Sequence, residues 1–147
     1  MGLVETADYL KALVESNPVV PGLTDFSIED VFYGDQENLA RNITVCVDPG
    51  EKVVSQLYGS RRAIYDARYY IMAYAKTLAG SEQNRRICDL VAEHLETLVN
   101  ANPKLGGTVI QSHVAEVRPG YVQRGDSIVR STRLTVVSTM EKNLPLL

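Results

Sequence analysis

Two histidines, two cysteines and two arginine pairs are the side chains of this chain best suited to chemistry, and their surroundings decide what each can do. A catalytic or metal site needs titratable groups that converge from loops or strand ends. His94 lies inside an amphipathic run beside Glu93 and Glu96, and reads as a partly buried structural histidine. His113 sits in QSHVAEV with no His or Cys at a metal-ligand spacing. Neither Cys46 nor Cys88 has a base beside it, and both fall in strand or helix interiors, where packing accounts for them. Two cysteines in a core-rich chain point to free buried thiols and a reducing cytoplasm, not to a disulfide framework. Gly106-Gly107 precedes a strand, whereas a phosphate loop opens a helix and carries Lys-Ser/Thr. Arg61-Arg62 and Arg85-Arg86 can grip acidic neighbours, although solvated pairs are the simpler reading. The expectation is a protein with no catalytic residues, no cofactor and no metal.

Length and composition bound the rest. At 147 residues, with 45% apolar and 22% charged residues, the chain suits one soluble domain, 1–147. No apolar run approaches the roughly 18–20 residues needed to span a membrane, so no membrane role is expected. The segment Met1 to Tyr9 carries Glu5 and Asp8 and no basic stretch, unlike a secretory signal. Eight Tyr against two Phe and no Trp suit half-buried surfaces and contacts with other chains. The net charge of −3 is uneven. Residues 1–60 hold ten acids and three bases, a net −7, while residues 61–147 hold eight acids and twelve bases, a net +4. Such a chain presents opposite faces to its neighbours, unless the halves interleave in space and the field cancels. Nucleic acid as a main partner is disfavoured, because the chain is acidic overall and has no basic stripe with interleaved aromatics.

The elements follow from periodicity. Leu3, Ala7, Leu10 and Val14 predict a helix from about Glu5 to Glu15, ended by Asn17-Pro18. Residues 18–41 form a turn-rich excursion anchored by Phe26, Ile28, Val31, Phe32 and Tyr33. Asn42 to Val47 predicts a strand that stops at the turn signal Asp48-Pro49-Gly50. From about Arg62 to Thr77 the odd positions are Ala63, Tyr65, Ala67, Tyr69, Ile71, Ala73 and Ala75, an unbroken apolar face. This period of two predicts a long strand, with a helix as the alternative. Its even face, with Arg68, Tyr70, Met72 and Tyr74, is too apolar for plain surface and too polar for core; these four are candidates for contact with another subunit. Ser81 is placed as the cap of a second helix, about Glu82 to Val99, with Ile87, Val91, Leu95 and Leu98 on one stripe. Strands at about Thr108 to Arg118 and Ser127 to Thr139 flank a loop with Tyr121 and Arg124, and residues 141–147 form a short apolar tail. The predicted fold is α/β (α+β): an antiparallel or mixed sheet of about four strands, order α-β-β-α-β-β, with both helices on one face.

Two stretches carry a resemblance. The segment Val45 to Thr77, with VDPGEKVVSQLYGSRRAIYDARYYIMAYAK, resembles the middle of the tail-terminator proteins ("minor capsid proteins") of phages with long, non-contractile tails. So does LVAEHLETLVNANPKLGGTVIQSHVAEVRPGYVQRGDSIVRSTRLTVV, where a helix ends in Asn-Pro-x-Leu-Gly-Gly and a strand, a Pro-Gly-Tyr loop and a final strand follow. The resemblance covers residues 45–140 and lies in the order and spacing of elements. It implies a structural virion protein, assembled in the host cytoplasm, that forms a homohexameric ring. Such a ring caps the tail tube, stops polymerisation of the tube protein, and offers its other face to the head–tail connector. Genomic DNA would pass through the ring without sequence-specific binding; the net charge of −3, not the resemblance, leads to the expectation of an acidic lumen that lets DNA slide. No functional positions transfer from the family. From this sequence alone, Asp25, Glu29, Asp30, Asp35 and Glu37 in the excursion, and Tyr121 and Arg124 in the loop, are the tube- or connector-facing candidates, one set for each axial side. The competing expectations are another neck or head-completion protein of the same particle, and a small ligand-binding module.

Overall fold

A computed structural model describes residues 2–58, 62–78, 80–124 and 127–143, the side chains of 58, 124, 127, 142 and 143 excepted. Its elements are α1 (Leu3–Glu15), β1 (Asp30–Tyr33), β2 (Ile43–Tyr58), β3 (Arg62–Ala75), α2 (Ser81–Asn100), a 3-10 turn at Leu105–Gly107, β4 (Gln111–Arg124) and β5 (Ser127–Asn143). The strands form one five-stranded sheet in the order β1-β2-β3-β5-β4. β1 runs parallel to β2, and every other pair is antiparallel. The α+β class therefore stands, with five strands in place of about four.

The extra strand lies in the excursion. Asp30–Tyr33 pairs with Thr44 to Val47, and residues 34–42 carry the chain back to start β2 in the same direction. A four-residue strand is too short to declare its period, so DVFY reads as a run of anchors. Two turn signals also failed to end strands. β1 stops opposite Val47, so from Pro49 onward β2 has no outer partner among the described residues and the missing N–H leaves no gap in a ladder. A register shift between Pro49 and Lys52 absorbs the irregularity. Pro119 lies likewise in β4, the opposite edge strand, and the β4–β5 strands run on to Arg124 and Ser127. β5 also extends to Asn143, through the start of the expected tail; residues 144–147 lie outside the described residues.

Both helices bury their stripes in one core on one face of the sheet. Ala7, Leu10 and Val14 of α1 and Ile87, Cys88, Val91 and Leu95 of α2 join Val45, Tyr69, Ile71, Ala73, Leu134 and Val136. Burial of each large aliphatic side chain there contributes about 1.5–3 kcal/mol. α1 ends where expected: Ser16 Oγ and Asn17 Nδ2 donate back to the Ala12 and Leu13 carbonyls, each at 2.8 Å, before Pro18. The cap of α2 differs from expectation. Ser81 is the first helical residue and makes no cap; Gly80, at φ +96°, takes the N-cap position. Asn84 secures this first turn instead, bonding the Thr77 amide and carbonyl, each at 3.2 Å.

Among the described residues the opposite face carries no helix. A small cluster of Leu39, Cys46, Tyr74 and Val129, flanked by Phe32, Met72 and Val122, forms there under the 34–42 crossover. Beyond the helices, β2 from Lys52, β3 up to Asp66 and the end of β5 continue as a three-stranded arm. Val53, Val54 and Leu57 are exposed on it.

Candidate functional site

The helix-free face brings the candidate contact residues together. β3 is the central strand, so Arg68, Tyr70, Met72 and Tyr74 point off this face and not from a lateral edge. They differ in what remains available. Tyr74 is buried: Leu39 covers it, and its hydroxyl donates to Asp35 Oδ1 at 2.6 Å. Met72 is half-buried, Arg68 is exposed, and among the described residues Arg68 has no ion-pair partner. Tyr70 donates to Glu51 Oε2 at 3.0 Å, and the Arg133 guanidinium lies 5.2 Å from its ring centroid.

Beside these residues the face dips into an open hollow of about 320 Å³. Met72, Tyr74 and Val122 give it an apolar floor, Gly120 opens it by lacking a side chain, and Arg118 and Arg133 stand on its rim. Both guanidiniums share one carboxylate: Arg118 Nε lies 2.9 Å and Arg133 Nη2 3.9 Å from Glu116 Oε1. One positive charge is left over at the rim.

The register settles how the acidic and basic halves are arranged. Asp30, Thr44, Tyr74, Ser131 and Gly120 form one rung across all five strands, and Phe32, Cys46, Met72, Arg133 and Arg118 form another. The acidic first half supplies β1 and β2 at one lateral edge, and the second half supplies β5 and β4 at the other. In the sheet the halves do not interleave.

The excursion acids cluster around β1. Arg41 faces Glu29 at 4.0 Å and Asp30 at 3.9 Å, whereas Asp25 and Glu37 are exposed without a cation within reach among the described residues. Asp48, across the crossover from Asp35, has its carboxyl pushed up by burial first and by the Asp35 charge second. Tyr121 is 60% exposed, and Arg130 stacks on its ring at 3.8 Å from the centroid. The side chain of Arg124 lies outside the described residues. The excursion and the Tyr121 hairpin thus flank one end of the strands on opposite lateral edges. They do not occupy opposite ends, as an axial assignment of one set to each side requires; the arm occupies the other end.

No protein-family model matches the chain, and no curated protein matches it. The groups suited to chemistry are dispersed. His94 Nε2 bonds the Asn17 carbonyl at 2.8 Å, tying α2 to the end of α1, and His113 is exposed on edge strand β4. Cys46 and Cys88 are buried thiols outside any disulfide, and burial pushes Cys88 up to about 12. Among the described residues, no three His, Cys, Asp or Glu side chains gather in a group that could hold a metal ion. No helix among them is long and apolar enough to cross a membrane. Sequence reasoning missed the Arg118–Glu116–Arg133 cluster, because the bulge between Val114 and Glu116 sets which β4 side chains share the open face.

Proposed function

We propose that this protein is a structural component of a phage virion that closes into a ring, caps the tail tube and joins it to the head. The observation that carries the reading is the division of the sheet into a helix-covered face that holds the core and a helix-free face flanked by two uncovered, oppositely charged edges. A ring subunit needs two different lateral surfaces that meet head to tail and close by rotation. The resemblance of residues 45–140 to tail terminators supplies the specific role, the hexameric stoichiometry, and the tube protein and head–tail connector as axial partners. The two ends of the strands, one bearing the arm and the other the connection between β4 and β5, are the axial contact surfaces, and the excursion acids beside β1 are left for lateral contact. The role is assembly, without catalysis or cofactor, and its place is the neck of the virion, with DNA passing through the lumen. A different neck or head-completion role uses the same surfaces and would show as co-purification with capsid and portal in place of tube.

A second reading, a small ligand-binding module, draws support from the hollow with its apolar floor and two guanidiniums. Solution mass across a concentration series, with and without tail-tube protein, decides between them. The ring reading expects a mass near six times 16.2 kDa, free or once tubes are present. A monomer that ignores tubes at every concentration overturns it.

A further inference from the structure

Charge, topology and register together say which surfaces of successive copies meet. β1 and β4 are separated by four strand spacings, about 19 Å in all. That is about twice the screening length at physiological salt, so neither edge neutralises the other within one chain. Toward the β1 edge lie Glu29, Asp30, Asp35, Glu37 and Asp48, with Arg41 facing the first two and Lys76 bonded to the Leu39 carbonyl as the nearby cations. The β4 edge carries Arg118 and Arg133 against the single Glu116. The four acids of α2 belong to the helix-covered side and leave this positive pole intact. Each edge also has exposed apolar surface on its helix-covered side: Tyr33 beside β2, and Val117 and Tyr121 on β4.

We propose that the acidic β1 edge of one copy, Glu29 to Glu37, docks on the basic β4 edge of the next copy, at Arg118 and Arg133. The occupant is a second copy of this chain. A charge pole repels its own kind, which disfavours a two-fold contact of like edges and favours a head-to-tail one between unlike edges. Phe32 of β1 shares a rung with Arg133 and Arg118, so the two edges face outward from the same level of the sheet. Head-to-tail contacts close into a ring when the rotation between copies is a whole fraction of a turn. This inference rests on the ring reading above and adds its contact surfaces.

Two charge-reversed proteins test it: Arg118→Glu with Arg133→Glu, and Glu29→Lys with Asp30→Lys and Glu37→Lys. The first has two acidic edges and the second two basic ones. Asp30 is partly exposed and the other four positions are exposed, and a thermal melt near that of the wild type confirms that each variant folds. Alone, each should need about tenfold or more protein to reach half-assembly. Mixed in equal amounts, they should form rings of alternating subunits at wild-type concentrations. The wild-type ring should also fall toward monomer mass as salt rises to about 1 M. A wild-type ring whose assembly neither reversal weakens, or a mixture that stays monomeric, overturns the edge contact and leaves the ring reading standing. A wild-type chain that never associates, with or without tubes, overturns both.

Discussion

The Tyr70 hydroxyl donates to the Glu51 carboxylate at 3.0 Å, across the irregular stretch that follows Pro49 in β2. Gly50 makes the approach possible, because a Cβ there would lie 2.5 Å from Tyr70 Cε2 and 3.1 Å from the Arg68 carbonyl oxygen. Gly50→Ala should therefore swing the Tyr70 ring away and destabilise the fold by about 1–3 kcal/mol, read from denaturant midpoints. A wild-type midpoint would mean that the ring is not held over Gly50.

The Glu51 carboxyl is held below its ordinary range, first by a bond to its own backbone amide and then by the Tyr70 hydroxyl. Tyr70→Phe should raise it part of the way back while the amide bond persists. An NMR titration of the Glu51 side chain checks this, and no movement would place the Tyr70 hydroxyl elsewhere in solution.

Thr132 is a buried residue whose hydroxyl has no hydrogen-bond partner among the described residues. Thr132→Val keeps the shape and removes the stranded hydroxyl, so it should stabilise by about 1 kcal/mol, or about 3 °C in Tm. A loss of stability would point to a bridging water in the native protein.

Asp48 gives a pH signature. Its folded-state carboxyl is raised, so through the window just above the ordinary carboxylate value the native chain binds more protons than the unfolded one. Stability contributed by this group therefore falls as pH climbs through that window, and the penalty persists above it. Asp48→Asn should gain under about 1 kcal/mol at neutral pH, the scale of a largely solvated charge, and nothing in acid below the carboxylate range. Denaturant midpoints at the two pH values decide it.

Cys46 and Cys88 should both be silent toward a thiol reagent in the folded protein and should both react after unfolding. Burial explains Cys88, whose thiolate forms only near pH 12, and Cys46 lies under the crossover with Leu39 and Tyr74. Fast labelling of either native thiol would show that its cover opens readily.

The long elements were legible because their periods are long. The odd face of Ala63 to Ala75 announces a strand, and the spacing of Leu10 and Val14 or of Ile87, Val91 and Leu95 announces a helix. What escaped was decided by neighbours and not by local chemistry. Pro49-Gly50 and Pro119-Gly120 look like turns, yet each proline lies on strand backbone without an outer partner, which sequence order alone does not reveal. The even face of β3 was read as semi-apolar, but nothing periodic in residues 34–42 says that Leu39 folds over Tyr74 and removes it from the surface. The charge division was visible as a count. Only the strand order turned it into two edges.

The same two prolines limit what this sheet can become. Each removes an amide donor from an edge strand, and each lies next to a kink or a glycine. A foreign strand laid along either edge meets an interrupted ladder, so uncontrolled cross-β growth is checked at the places where an unprotected edge would seed it. On the proposed ring reading, the edges keep their side chains for contact while the backbone resists templating, so subunits can accumulate without sheet-to-sheet growth.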